Sequence, residues 1–279
     1  FNKKFPKFYF GWKILGVFYL NKGLFERSLS FNIKSLELNN KDPEAYFNLG
    51  LNYQMLKQIE LAIKYYKYAL KINPNYLGAH NNLGLIYKIQ EKFEEASTHF
   101  KTAITLEPDN PECLFNYANC LRDSKRFSEA KSYYSKAIFK NTKYKQAYLN
   151  WLTLIEENNI LDNSEITYQI FLNIIKSKTI IRPRKISGLV LALIKNKLNF
   201  KELRELYYEQ KITLQEIIHL LVKEELFIEF LSICPISDIK IEIFLRFLRF
   251  EILINFKNLR HSIELEVFQI AMSHQSFIN

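Results

Sequence analysis

The sequence predicts an all-α protein: a right-handed superhelix of stacked helical hairpins, an α-solenoid, followed by an irregular helical region. Three observations predict it. Only seven glycines and seven prolines occur in 279 residues, Leu, Ile, Lys, Glu and Asn dominate, and alternation of apolar and polar residues is scarce. A pattern of small and aromatic residues recurs every 34 positions through the first half. Beyond about residue 178 that period is lost, but helical patterning and helix-start signals continue.

The repeat is clearest in three units, 43–76, 77–110 and 111–144. Gly50 and Gly84 are 34 apart, as are Tyr53 and Tyr87, Ala62 and Ala96, Ala69 and Ala103, and Pro74 and Pro108, while Tyr66 matches Phe100. The third unit keeps Tyr117, Ala118, Leu121, Ala130, Tyr134 and Ala137, with Thr142 at the proline site. An earlier divergent unit, 9–42, carries Trp12, Leu15, Gly16 and Tyr19, but has Ser28 and Ser35 at the two alanine sites. A fifth, 145–178, keeps Tyr148, places Trp151 at the leucine site, and has Ser164, Tyr168 and Phe171 in its second helix. The spacing has a packing reason. Small residues at positions 8, 20 and 27 of each unit let two antiparallel helices approach, and large ones at 4, 7, 11 and 24 fill the space between. One hairpin cannot bury its apolar face alone, so units must stack. The aromatic stripe is therefore expected to be core.

This pattern, W-x2-L-G-x2-Y, then A-x3-F, then P, resembles the tetratricopeptide-repeat family over residues 9–142. The resemblance implies a solenoid over 9–178. Residues 179–279 are expected to form about five helices, as a bundle or as decayed hairpins. Pro183 suits a helix start, and Asn199 with Glu202 and Thr213 with Glu216 have capping-box spacing. Pro235 ends one helix, Ser237 or Asp238 caps the next, and a last helix covers roughly 262–275.

Composition excludes several function classes. The longest uncharged apolar run of the second half, "GLVLALI" at 188–194, is far short of a bilayer span, and "FYFGWKILGVFYL" at 8–20 is short and contains Lys13. No signal peptide is recognised, and a chain that begins at Phe1 rather than Met leaves a leader open. Three cysteines far from any CxxC pattern imply no disulfide framework; Cys113 and Cys120, seven apart on one helix face, are expected to be buried small residues. A reducing, cytoplasmic location is expected. No GxGxxG, P-loop or GxSxG motif occurs, and His80, His99, His219, His261 and His274 lack metal-site spacing. Hence no catalytic residue, metal or cofactor is expected, and His80, which falls at the site of Tyr46 and Tyr148, is expected to be a packing residue. The acid pairs Glu94/Glu95 and Glu156/Glu157 are expected on exposed helix ends.

The net charge of +10 is weak support for nucleic-acid binding, because Lys-, Asn- and Ile-rich usage accompanies AT-biased coding. Nucleic acid is not the expected partner. The stretch 176–211 is more concentrated, with ten Lys or Arg against Glu202, Glu205 and Glu209. It is either a set of solvated helix faces or a docking surface for an acidic partner or for nucleic acid.

A solenoid binds on its concave surface. In tetratricopeptide repeats that surface comes from the first helix of each unit, near positions 2, 5, 6, 9, 12 and 13. Position 6 is Asn48, Asn82, Asn116 and Asn150, although Asn150 stands in a unit that has lost its glycine and alanines. Position 5 varies as Phe47, Asn81, Phe115 and Leu149, position 9 includes Asn119, and position 12 includes Lys88 and Arg122. Shared duplication explains a repeated asparagine; its persistence where its neighbours diverge favours a role. One amide supplies two donors and an acceptor, and so can pair with both groups of a peptide unit. At roughly 1 kcal/mol net per hydrogen bond, a ladder of them holds an extended segment modestly and with little sequence preference. The arrangement is similar to the asparagine ladder in the repeats of O-linked N-acetylglucosamine transferase, here starting at Asn48 because the first unit has Ile14. A clamp for a peptide C-terminus, built from Lys at position 5 and Asn at position 9, is not expected, because Lys13 is accompanied by Val17.

The tail "LEVFQIAMSHQSFIN" resembles, through Ala271, Gln275, Phe277 and Asn279, a segment of bacterial proteins that join tetratricopeptide repeats to a methyltransferase domain. The expected function is thus a non-enzymatic scaffold that binds an extended peptide or protein segment. The alternative is the substrate-recruiting front of a larger methyltransferase or glycosyltransferase.

Overall fold

The computed structural model describes residues 8–177, 183–233, 239–255 and 263–276. Among these residues the regular structure is entirely helical, in sixteen helices. They fall into two compact units, residues 1–141 and 142–279.

Unit 1 holds four hairpins. Their first helices are α1 (Tyr9–Asn21), α3 (Pro43–Met55), α5 (Leu77–Ile89) and α7 (Pro111–Asp123), and their second helices are α2 (Phe25–Leu38), α4 (Ile59–Ile72), α6 (Phe93–Leu106) and α8 (Phe127–Lys140). Every helix starts 34 residues after its counterpart, so the sequence period is the structural period. The starts have local causes. Pro43 and Pro111 sit at the first helical position, where no N–H is missed, and Asp42 and Asn110 accept the next free backbone N–H groups.

The turn inside each hairpin also repeats. Gly23, Lys57, Glu91 and Lys125, all at repeat position 15, have φ between 59° and 73°. In each turn the following N–H reaches back into the first helix, as Gln58 does to the Tyr53 carbonyl at 2.8 Å, a capping geometry that requires this left-handed residue.

Packing explains the small residues. A Cβ on Gly50 would lie 2.5 Å from the Tyr66 ring, and one on Gly84 would lie 2.7 Å from the Phe100 ring. Tyr66, Phe100 and Tyr134 are fully buried, with Ala62, Ala69, Ala96, Ala103, Ala130 and Ala137 around them. In the first hairpin Ser28 and Ser35 replace the alanines and donate to the Gly16 and Tyr9 carbonyls at 2.6 and 3.0 Å, so two polar groups are buried without loss. A second aromatic layer repeats as well. Phe31 stacks on Tyr19 at 5.1 Å, Tyr65 on Tyr53 at 5.1 Å, and the His99 ring takes the same place on Tyr87 at 5.6 Å.

Unit 2 contains α9 (Lys145–Asn158), α10 (Glu165–Ser177), α11 (Pro183–Lys197), α12 (Phe200–Tyr208), α13 (Leu214–Lys223), α14 (Glu225–Ile233), α15 (Ile239–Asn255) and α16 (Ile263–Ser276). α9 keeps the 34-residue spacing and ends on left-handed Asn159. α10 instead starts 38 residues after α8. Asp162 and Ser164 hold its first turn through Thr167, so Ser164 precedes the helix and does not pack at an alanine site. Phe171 packs edge-on against Trp151 at 5.4 Å. α14 packs on α10, α11, α13 and α16, and α12 on α15. Asn199 caps α12, and Thr213 with Glu216 forms a reciprocal capping box on α13. The expected starts at Ser237 or Asp238, and the tail residues Phe277 and Asn279, lie outside the described residues, as does Cys234. No described helix is long and apolar enough to cross a membrane.

Candidate binding groove

The position-6 asparagines of unit 1 stand on its first helices, where the fold itself engages two of them. Asn82 Nδ2 donates to the Tyr66 hydroxyl at 3.1 Å, and that hydroxyl donates to Gln54 Oε1 at 2.6 Å. Burial raises the Tyr66 pKa, so the phenol stays protonated and the chain keeps its direction. At the next joint Phe100 has no hydroxyl, and Asn116 Nδ2 donates to Asn81 Oδ1 of the neighbouring repeat at 3.0 Å. Asn119 Oδ1 accepts from the Tyr134 hydroxyl at 2.6 Å. The expected ladder is therefore partly internal: it links one repeat to the next. Asn82 Oδ1, Asn116 Oδ1 and Asn81 Nδ2 remain outside these bonds.

Asn48 differs. It is 5% exposed, and its Nδ2 makes no hydrogen bond. The position that supplies Tyr66 to Asn82 supplies only the short Asn32 to Asn48, and Asn32 Oδ1 is turned onto Gly16, 1.9 Å from where a Cβ would stand. Asn52, one turn along, donates to the Asn48 carbonyl at 2.9 Å but leaves its own Oδ1 unmatched. Asn150, in unit 2, accepts from Gln146 at 2.8 Å.

The apolar groove positions are half-buried. Phe47 lies against Tyr66 and Tyr76 with centroids 5.6 and 5.0 Å away, over Gly78, where a Cβ would come within 2.9 Å of the ring. Phe115 lies 5.8 Å from Tyr134. The two position-12 cations meet on one acid: Lys88 Nζ is 3.1 Å from Asp123 Oδ2, and the Arg122 guanidinium is 2.8 Å from Asp123 Oδ1. Asp123 and the Tyr66 hydroxyl were not expected as part of this surface. The alternation Tyr66, Phe100, Tyr134 at one position was the signal for the second.

Lys13 is unavailable to a peptide carboxylate. Its ammonium, 9% exposed as a residue, is 3.0 Å from Asp42 and 2.6 Å from Glu44. Burial lowers its pKa, but the bonds to Glu44 and Asp42 outweigh that and leave it raised. His80 is a buried packing residue, with Nδ1 3.0 Å from His99 Nδ1 and Nε2 2.8 Å from the Pro74 carbonyl. Cys113 and Cys120 are buried free thiols, and burial pushes Cys113 up to about 11. Among the described residues no group of three His, Cys, Asp or Glu side chains is placed to hold a metal. Part of the basic stretch serves the fold: Lys176 pairs with Glu225, and Lys197 Nζ lies 2.7 Å from Glu224 and 4.2 Å from the Tyr168 ring.

Paired helices at a 34-residue period, with small residues beneath aromatic rings, make unit 1 a stack of helical hairpins. Tetratricopeptide-repeat family models match residues 43–76 and 78–110, and a second such model matches 99–147, so these residues are tetratricopeptide repeats. Among solved structures the chain is similar to pilF of Pseudomonas aeruginosa, with 21% identity and a TM-score of 0.53 over 67% of this chain and 90% of that one. It is also similar to MamA, residues 41 to the end, from Desulfovibrio magneticus RS-1, with 13% identity and a TM-score of 0.50 over 54% and 85% of the two chains. At these identities the likeness shows the fold alone. No curated protein matches the chain. These matches do not bear on the two transferase resemblances.

Proposed function

We propose that unit 1 is a protein-interaction scaffold whose first helices hold an extended segment of a partner by its backbone. The observation that carries this is the spare hydrogen-bonding capacity left at one period. Asn82 Oδ1 and Asn116 Oδ1 are acceptors, and Asn81 Nδ2 is a donor, all outside the internal network. Phe47 and Phe115, at the adjoining position of their repeats, are half-buried. Because each amide is already fixed on one side by Tyr66 or by its neighbour, binding orders few side chains, which limits the entropic cost. Backbone groups are common to all sequences, so selectivity would come from the rings and from the Lys88–Asp123–Arg122 cluster.

The test uses extended peptides of equal length and varied sequence, with N-methylated versions of the tightest binders. Backbone recognition predicts that N-methylation abolishes binding. It also predicts that Asn82→Ala with Asn116→Ala weakens binding at least tenfold, which equals about 1.4 kcal/mol. Each substitution removes one internal hydrogen bond, so the melting temperature should fall slightly and helicity stay unchanged. Unaltered affinity in the double variant would sink the proposal.

A further inference from the structure

We infer that the groove of unit 1 takes a polyproline-II segment with an apolar side chain at every third residue. This rests on the groove reading above and adds the partner's conformation and spacing, which that reading leaves open.

A row of aliphatic side chains crosses three successive first helices at one repeat position. Position 9 is Val17 on α1, Leu51 on α3 and Leu85 on α5, each half-buried, and Asn119 on α7, where the row ends. One turn further along, position 13 adds Met55, 48% exposed, and Ile89, 77% exposed. Ile89 is the most exposed large hydrophobic side chain among the described residues. Positions 9 and 13 share one helix face with position 5, because residues four apart lie one above the other, so Phe47 stands on that face of α3. Position 13 of α7 is Asp123, already paired with Lys88 and Arg122, which gives the aliphatic row a polar end.

The spacing of the row selects the conformation of its ligand. α1 packs on α3 and α5 on α7, and Phe47 of α3 lies over Gly78 in the first turn of α5. Packed helices stand roughly 8–10 Å apart. A β-extended segment returns a side chain to one face after about 6.6 Å, or after about 13 Å when every second one is used, and neither step fits. A polyproline-II segment has three residues per turn at about 3.1 Å each, so every third side chain returns to the same face after about 9 Å. It also has no internal hydrogen bonds, which leaves its N–H and C=O groups for Asn82 Oδ1, Asn116 Oδ1 and Asn81 Nδ2. An α-helix returns to one face after seven residues, about 10.5 Å, but its backbone groups are already paired and would leave those asparagine atoms unmatched.

The experiment is calorimetric titration of the full chain with a twelve-residue peptide that repeats Leu-Ser-Pro. Two controls accompany it: an isomer whose four leucines alternate with serine ahead of the prolines, and a peptide that repeats Ser-Ser-Pro. We expect saturable binding of the Leu-Ser-Pro peptide at one site per chain, with both controls at least tenfold weaker. Met55→Ser with Ile89→Ser should weaken that peptide at least tenfold at an unchanged melting temperature, since both side chains are exposed in the free protein. Equal affinity for the isomer, no saturable binding of the Leu-Ser-Pro peptide, or affinity unaltered in this double variant would each overturn the inference. Asn82→Ala with Asn116→Ala separates it from the reading on which it rests. An isomer that binds as tightly as Leu-Ser-Pro, yet is weakened in that variant, removes the spacing and leaves the backbone contact standing. A three-residue preference that persists undiminished in that variant does the reverse.

Discussion

Lys57, Glu91 and Lys125 occupy a left-handed conformation that costs an L-residue about 1–2 kcal/mol, whereas Gly23 holds the same place in the first hairpin without that cost. Replacing each by glycine should therefore stabilise the protein by about 0.5–1 kcal/mol, less than the full strain because glycine also loosens the unfolded chain. The urea midpoint checks this; a drop for all three would refute the strain argument. These turns were not legible in the sequence, since a lysine announces no positive φ. Only the alignment with Gly23 carries the signal. His99 is a second case. Burial, the neighbouring His80 and Lys67 lower its pKa from 6.5 to about 4. The unfolded chain then binds a proton that the folded chain refuses. The stability due to neutral His99 is fully present above pH 6.5 and is lost as pH falls from 6.5 through 4. Phe31, Tyr65 and Tyr133 hold this position in the other repeats, so His99→Tyr should keep the fold and flatten the loss of melting temperature over that interval. An equally steep loss in the variant would place the pH sensitivity elsewhere.

At the scale of the hairpin, the 34-residue period, the helix starts and the glycine-under-ring packing were legible because each rests on a single side chain's volume. Joints between hairpins were less so. Position 6 looks uniform in sequence, yet its three asparagines in unit 1 stand in three environments, set by whether the preceding helix offers Tyr66, Phe100 or Asn32. The α2–α3 joint is the weak one, since a buried amide donor without a partner costs about 1–3 kcal/mol. Asn48→Leu, of similar volume, should raise stability by about 1 kcal/mol or more in thermal or urea unfolding. A fall instead would mean that the Asn48 amide is satisfied in solution. α10 shows the limit of the frame from the other side. Ser164 fits an alanine site by count, but Asp162, Ser164 and Thr167 build a start one turn later, and local capping overrides the inherited register.

For the whole molecule, the basic stretch illustrates why charge counted along a sequence does not locate a site. Lys176 and Lys197 face the acidic start of α14, whereas Lys195, Lys201 and Arg204 converge on a cavity, and only the packing of α12 on α15 distinguishes the two sets. Unit 1, by contrast, has the nearest-neighbour logic of a solenoid, in which a residue's contribution depends on whether a repeat precedes it. Position 10 of the first helix makes this measurable. Ile86 is 3% exposed in the third hairpin, but Phe18, its counterpart on α1, is 52% exposed. Ile86→Ala should cost about 2–5 kcal/mol, as for a buried aliphatic side chain, while Phe18→Ala should cost less than about 1 kcal/mol despite removing the larger group. Urea unfolding of the two variants gives the comparison directly. Comparable losses would mean that Phe18 is covered in solution.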